Sequence, residues 1–335
     1  MARSSQLRLF WSLNPPASQY PDIQYRRAIA TPGDVCVRGQ PIRRWRDIRT
    51  WPARTSYRHR VDVVELIPGL HFLRFPIGHA YLWQDPGGLT LIDTSVPGSA
   101  PLIATAIRGI GHEPAGLRRL LLTHFHADHA GSAAEIAAWG NVEVCAHHAD
   151  APFLRGEAPG PPPDLADWER PIFEQVSRQL PAAPPAPVRI DRELDDGDEL
   201  NFGAVAVAVP GHTPGSVAFY LPGPRVLFAG DTVARRPDGQ IMLGVFNTDP
   251  AQAAASVQRL AALDTEIACF GHAEPITHGA AAQLRSAAQQ FPDPQKVTSP
   301  ASSPEEHALP EYKSTSPPQR RIIDGARLIR CAVRR

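Results

Sequence analysis

Thr123-His124-Phe125-His126-Ala127-Asp128-His129 packs three histidines and a carboxylate into six consecutive positions. Packing gives little reason for that density. Imidazoles this close repel one another when protonated and compete for partners when neutral. A divalent cation resolves the conflict, because neutral imidazole and carboxylate are its ordinary ligands. Four further residues stand in short turns elsewhere: Asp93 after Leu91-Ile92, His212 in Pro210-Gly211-His212-Thr213-Pro214-Gly215, Asp231 in Ala229-Gly230-Asp231-Thr232, and His272 in Phe270-Gly271-His272. Together they imply metal chemistry, in which a cation activates water and polarises a carbonyl group.

These residues need strands to carry them to one place. Short apolar runs at 61–67, 70–75, 80–83 and 89–92 are separated by Pro/Gly breakers, which predicts a sheet of hairpins. A helix over 101–108 follows, then a strand over 117–122 that feeds the histidine loop, a helix over 132–139 and a strand over 142–145. The pattern restarts with strands over 188–190, 198–202, 204–209, 216–221 and 225–228. It ends with a helix over 250–263, a strand over 267–270 and a helix over 280–290. Strands then helix, twice over, predict an α/β fold of two similar halves, a four-layer αββα sandwich with helices outside and sheets inside. Strands of one sheet end along one edge, so Asp93, the histidine loop, His212, Asp231 and His272 can converge. Gly230 and Gly271 allow the backbone to turn sharply and approach a cation.

The heptad, followed in order by His212, Asp231 and His272, resembles the metallo-β-lactamase fold hydrolases, in their dinuclear branch with a bridging Asp. The resemblance covers about 61–290 and is specific to the superfamily rather than to a substrate. It implies two divalent metal ions, zinc first among them with iron or manganese as alternatives. His124, His126 and His212 would hold the first ion, and Asp128, His129 and His272 the second, with Asp231 bridging. Elementary geometry agrees. His124 and His126 stand two apart in an extended loop and point to one side, and ions about 3.5–4 Å apart call for a shared anionic ligand. Asp93 resembles the family's aspartate that orients a ligand histidine; its alternative is a strand-end turn former.

The expected reaction is hydrolysis. Water between two such ions ionises near neutral pH, since zinc lowers its pKa to about 7. The hydroxide attacks an ester, thioester or lactone carbonyl of a small-molecule substrate, and Asp128 passes a proton to the leaving atom. Asp231 argues against a true β-lactamase, which as the family is known places Cys or Ser there. The stretch from His126 to Ser132 also resembles glutathione thioesterases and persulfide dioxygenases. Both usually carry a Gly-Cys-Gly-Arg-like stretch after the bridging Asp, where this chain has Ala234-Arg235-Arg236-Pro237-Asp238-Gly239. Two other readings stay open at this level: an iron-dependent persulfide dioxygenase with one ion, and a non-catalytic metal-loaded interaction domain.

Charge is unevenly spread. The chain is neutral overall, but residues 1–60 carry twelve Arg against three Asp, with no Lys or Glu. The body 61–291 is correspondingly acidic, which disfavours a nucleic-acid partner, because phosphate binding needs positive surface. Residues 1–60 are read as an Arg/Pro-rich extension: a basic arm, a transit peptide, or a stretch outside the folded protein. Residues 151–187 form a proline-rich insert around a helical patch at 167–180, either a lid or a surface loop. Residues 292–335 are rich in Ser, Pro and charge and are expected to be disordered. No run approaches 18 apolar residues, so no membrane span is expected. Cys36, Cys145, Cys269 and Cys331 are widely spaced with no Cys-x-x-Cys; Cys145 and Cys269, in apolar runs, read as buried reduced thiols, which fits a cytoplasmic protein. Oligomeric state is not legible.

Overall fold

The structure, a computed structural model, describes residues 61–181, 184–236 and 238–291. The expectations for 1–60 and 292–335, and with them Cys36 and Cys331, lie outside the described residues.

Seven strands form the first sheet, in chain order: β1 Asp62–Ile67, β2 Leu70–Arg74, β3 Ala80–Asp85, β4 Gly88–Ile92, β5 Leu117–Leu121, β6 Glu143–His147 and β7 Arg192–Leu194. The first four pair antiparallel through tight turns; β4 to β7 pair parallel. Parallel neighbours need crossovers. Helix α1 Ala100–Gly109 supplies one and α2 Ala133–Ala137 the next, while α3 Ala151–Leu154 and α4 Arg170–Ser177 lie in the connection to β7. The second sheet comprises β8 Val205–Ala208, β9 Val217–Leu221, β10 Val226–Phe228 and β13 Ile267–Cys269, in the order β13-β10-β9-β8. A separate hairpin, β11 Val233–Arg235 with β12 Ile241–Leu243, leads into α5 Pro250–Ala261, and α6 Ala280–Ala288 follows β13. Helix α5 starts sharply because Asp249 Oδ1 accepts the Gln252 amide at 2.9 Å and Pro250 opens the first turn.

The period-two alternation of the strands builds three cores. Leu73, Leu82, Leu91, Leu120 and Val144 face Ile103, Ile107 and Ile136 of the outer helices. Their neighbours Phe72, Tyr81, Ile92, Leu121 and Cys145 face the other way, against Phe219, Phe228 and Cys269 of the second sheet. On that sheet's far side Ala218, Leu227 and Ala268 meet Val257, Leu260 and Leu284 of α5 and α6. Three cores separate four layers, and each strand supplies two of them because its side chains alternate. Cys145 and Cys269 are buried and free. Among the described residues no helix is long and apolar enough to cross a membrane.

The halves are less alike than their patterns predict, with seven strands against four. Val188–Ile190 is not a strand. Arg189 spends its guanidinium on the carbonyls of Ala137 and Val142, and pairing starts only at Arg192. Residues 198–202 form a turn held by Gly203 N to Leu200 O, with one isolated bridge, Glu199 to Val205. The hairpin β11–β12 is not among the predicted strands, because the polar run from Arg235 to Gln240 interrupts its apolar pattern.

Candidate metal centre

The chain's chemistry collects at one edge of the two sheets. Asp93 ends β4, the 124–129 loop follows β5, His212 lies between β8 and β9, Asp231 follows β10 and His272 follows β13. Backbone bonds lock these ends together across the sandwich: Val217 N to Thr123 O at 2.9 Å, Thr94 N to His129 O at 2.6 Å, and His79 N to Gly271 O at 2.7 Å. Glycine is required at 271 for a close approach, since a Cβ there would collide with Asp231 Oδ1 and the His129 ring.

All seven sequence-nominated ligand residues come together. One nitrogen each of His124, His126 and His212 lie within 4.8 Å of one another, as do single ligand atoms of Asp128, His129 and His272; Asp231 joins His124 and His129 in a third such group. Within the first group His212 Nε2 stands 3.0 Å from His126 Nδ1. Within the second, His129 Nε2 is 3.3 Å from His272 Nε2, and Asp128 Oδ2 is 3.2 Å from His272 Nε2. Asp231 sits between them, its Oδ2 at 3.1 Å from His272 Nε2 and 3.9 Å from His212 Nε2, its Oδ1 at 3.4 Å from His129 Nε2.

A second ring of bonds orients these rings. Asp93 Oδ2 accepts from His129 Nδ1 at 2.8 Å and from Thr123 Oγ1 at 2.8 Å, while Oδ1 accepts the Thr123 amide at 2.8 Å. With its own proton given to Asp93, Thr123 Oγ1 can only accept from His124 Nδ1 at 3.0 Å. Both His124 and His129 thereby use Nδ1 as the donor, which leaves Nε2 as the nitrogen that faces the ligand groups. Asp93 does this from a left-handed backbone, φ 57°, which Asp tolerates better than most residues.

The two groups differ in charge. Burial first, then neighbouring imidazoles, lower the pKa of His124 and bring His126 down to about 3. Burial also lowers His212, although Asp231 pulls the other way. Burial opposes charge on His272 too, but Asp231 and Asp128 outweigh it and hold the ring at about 10. His129 is likewise raised, burial being outweighed by Asp231 and Asp93. Burial pushes Asp128 and Asp231 up, and the His272 and His129 charges and bonds bring both below the usual carboxylate range.

Three contributors carry no motif, and a fourth, Thr123, opens the heptad without being nominated for a role. Asp150, fully buried, accepts from Phe125 N at 3.0 Å and Thr213 Oγ1 at 2.8 Å on one oxygen, and from Gly215 N at 2.6 Å on the other. It ties the loop of His124 and His126 to the loop of His212. Burial pushes its carboxyl up to about 6 against these three bonds. Thr123 carries the relay described above. Tyr81 donates to Phe270 O at 2.8 Å and accepts from Phe270 N at 3.1 Å, which fixes the turn before His272. His79, buried and lowered to about 3 by burial and then by His272, accepts the Phe75 amide at 3.3 Å. Only their burial could have flagged them, and burial is not written in a single sequence.

The donor set suits divalent cations. His124 Nε2 is buried without a hydrogen-bond partner, although its other nitrogen is committed to Thr123. Such an orphan is costly unless something else takes its lone pair. Five imidazoles and two carboxylates in facing groups offer nitrogen-rich, partly anionic coordination of the kind zinc favours.

The comparisons agree with this reading of the fold. Residues 73–272 match the model of the family described as the metallo-beta-lactamase superfamily. The probable metallo-hydrolase YflN of Bacillus subtilis is 30% identical over 238 residues, 64% of this chain and 87% of that one. Hydroxyacylglutathione hydrolase of Rhodobacter capsulatus is 31% identical over 205 residues, covering 60% of this chain and 64% of the relative's length. Among solved structures, the Cronobacter sakazakii metallo-beta-lactamase with the HARLDQ motif shares the fold at TM-score 0.54 and 24% identity, over 70% of this chain and 93% of that one. The subclass B3 metallo-beta-lactamase MEM-A1, from a soil metagenome library, gives TM-score 0.54 at 20% identity, over 72% and 99%. With the family match spanning residues 73–272, from the end of β2 to the turn after β13, the chain belongs to the metallo-beta-lactamase superfamily and is a metal-dependent hydrolase.

Proposed function

We propose that the protein hydrolyses the carbonyl bond of a small ester, thioester or lactone at a dinuclear, Asp-bridged site. The observation that carries this reading is the reach of Asp231, whose two oxygens approach His212, His129 and His272 from between the two ligand groups. His124, His126 and His212 would hold one divalent cation, Asp128, His129 and His272 a second, and Asp231 both. Bound there, two such cations supply Lewis-acid polarisation of the carbonyl and a water acidic enough to attack at neutral pH.

The chain's own groups do the rest. Asp93 and Thr123 keep His124 and His129 in the ligating tautomer. Asp128, whose Oδ2 lies 3.2 Å from His272 Nε2, takes the proton that the attacking water gives up and returns it to the departing oxygen or sulfur. Asp150 keeps the two ligand loops in register.

Metal analysis of purified protein, followed by a panel of lactones, thioesters and phosphodiesters, tests this reading. Two zinc equivalents per chain, turnover of carbonyl substrates, and loss of both in His126→Ala are expected. One iron per chain without zinc, or full metal content and rate in His126→Ala, would overturn it.

A further inference from the structure

The proline-rich insert is built into the wall of the metal edge. Gly160 lies against the Phe125 ring, between His124 and His126, and Phe153 packs on the same ring at 4.9 Å. Further along, Asp164 N donates to Asn247 O at 2.8 Å, and the Phe173 ring meets Phe246 at 5.2 Å. Glu169 pins the two together: its buried carboxylate accepts the Phe246 amide at 3.0 Å and the Ala166 amide at 2.9 Å. Between insert and hairpin these bonds hold open a cavity of about 440 Å3. That is within the usual range for small-molecule pockets, about 300–1,000 Å3.

The cavity's far wall also carries the metal edge. Gly244 N donates to Thr232 O at 3.1 Å, next to Asp231, and Thr248 N donates to His212 O at 3.2 Å. The segment 244–248 thus joins the loops of Asp231 and His212 and lines the cavity on its other side. Leu165, Met242, Leu243 and Val245 line it as half-buried apolar side chains, together with Trp168, which is 50% exposed. The exposed Asp164 and Arg236 stand at the rim. The Glu169 carboxylate is already satisfied by backbone amides, so the interior offers mainly apolar surface.

We propose that this cavity receives the apolar acyl group of the substrate. The inference rests on the carbonyl-hydrolase reading above. On this proposal the leaving atom lies against Asp128 and the acyl side on the His212 side, where segment 244–248 joins the His212 and Asp231 loops to the cavity wall. The class implied is esters or thioesters of medium-length alkyl or aryl acids, rather than of acetic or strongly charged acids.

A series of p-nitrophenyl esters from acetate to hexanoate, with a common leaving group, tests this on the full-length, zinc-loaded protein. kcat/KM should rise roughly fourfold per added methylene, the value of burying each. Trp168→Glu and Met242→Glu should each lower the hexanoate-to-acetate ratio about tenfold. Calorimetric titration with free hexanoate should show binding that both variants weaken. A ratio near one in the wild type, or one unchanged in both variants, overturns the pocket while leaving the hydrolase reading intact. Hexanoate binding sensitive to both variants, without turnover of any ester, upholds the pocket and overturns the hydrolase reading. Neither binding nor turnover overturns both.

Discussion

The carboxylate of Asp93 accepts the Nδ1 proton of His129 at 2.8 Å, and through Thr123 the same oxygen governs His124. One side chain therefore sets a ligating nitrogen in each of the two groups. Asp93→Ala is expected to weaken metal affinity about 10–100-fold, read by competition with a chromogenic chelator. Thr123→Val removes only the His124 branch and should cost less. Wild-type affinity in Asp93→Ala would take Asp93 out of this role.

The two groups should load with different pH dependence. Near pH 7 the lowered His124, His126 and His212 are neutral, so a cation entering there displaces few protons. His129 and His272 are held protonated, and a cation must displace both. The sign follows from the raised pKa. For His272 the paired, charged form contributes stability that is complete below 6.5 and lost as pH rises through about 10. Metal affinity rises over that window, by about tenfold per pH unit for each proton displaced. Titrations in buffers of different ionisation enthalpy should count about two protons released at one site and close to none at the other. Equal counts at both would contradict the assignment of charge.

Asp150 predicts a stability effect. Replacing it with Ala strands the Phe125 and Gly215 amides, while the Thr213 hydroxyl keeps Ser216 Oγ at 2.8 Å. Each stranded group costs about 1–3 kcal/mol, so a loss of about 2 kcal/mol or more is expected, read by denaturant unfolding. Asp150→Asn keeps the shape and one acceptor and should lose less. A midpoint unmoved in Asp150→Ala would show that the loops are held elsewhere.

Gly271→Ala places a methyl where Asp231 Oδ1 and the His129 ring now lie. The displaced carboxylate should cost the protein one bound cation, measurable by metal quantification, while circular dichroism keeps its native shape. Two cations retained in this variant would argue against Asp231 as the shared ligand.

Much of this architecture was legible because strands declare themselves by alternation. Leu91 and Ile92 face different cores, and the same two-residue rhythm runs through β2 to β6 and β9. The ligand loop was legible for a different reason: no packing role accounts for three histidines so close together. Asp150 was not, because a lone Asp past a strand end reads as a turn, and its three partners lie 25 to 65 positions away. Nor was the insert. Prolines hide periodicity, and the Glu169 bond to Phe246 spans 77 positions. His79 and Tyr81 carry no signal in the sequence, yet they reach the Phe270–Gly271 turn from the opposite half.

The span between His129 and His272, 143 positions, has a consequence for how the protein comes into being. Synthesis delivers the 124–129 loop first, and domains gain structure as the chain emerges. At that stage, on the proposed assignment, four ligands exist without His212, Asp231 or His272, and a cation would meet only part of its coordination sphere. Tight uptake would then wait until β13 docks beside β10 and brings His272 into reach. The order of synthesis would become an order of assembly, with cation capture as its closing event.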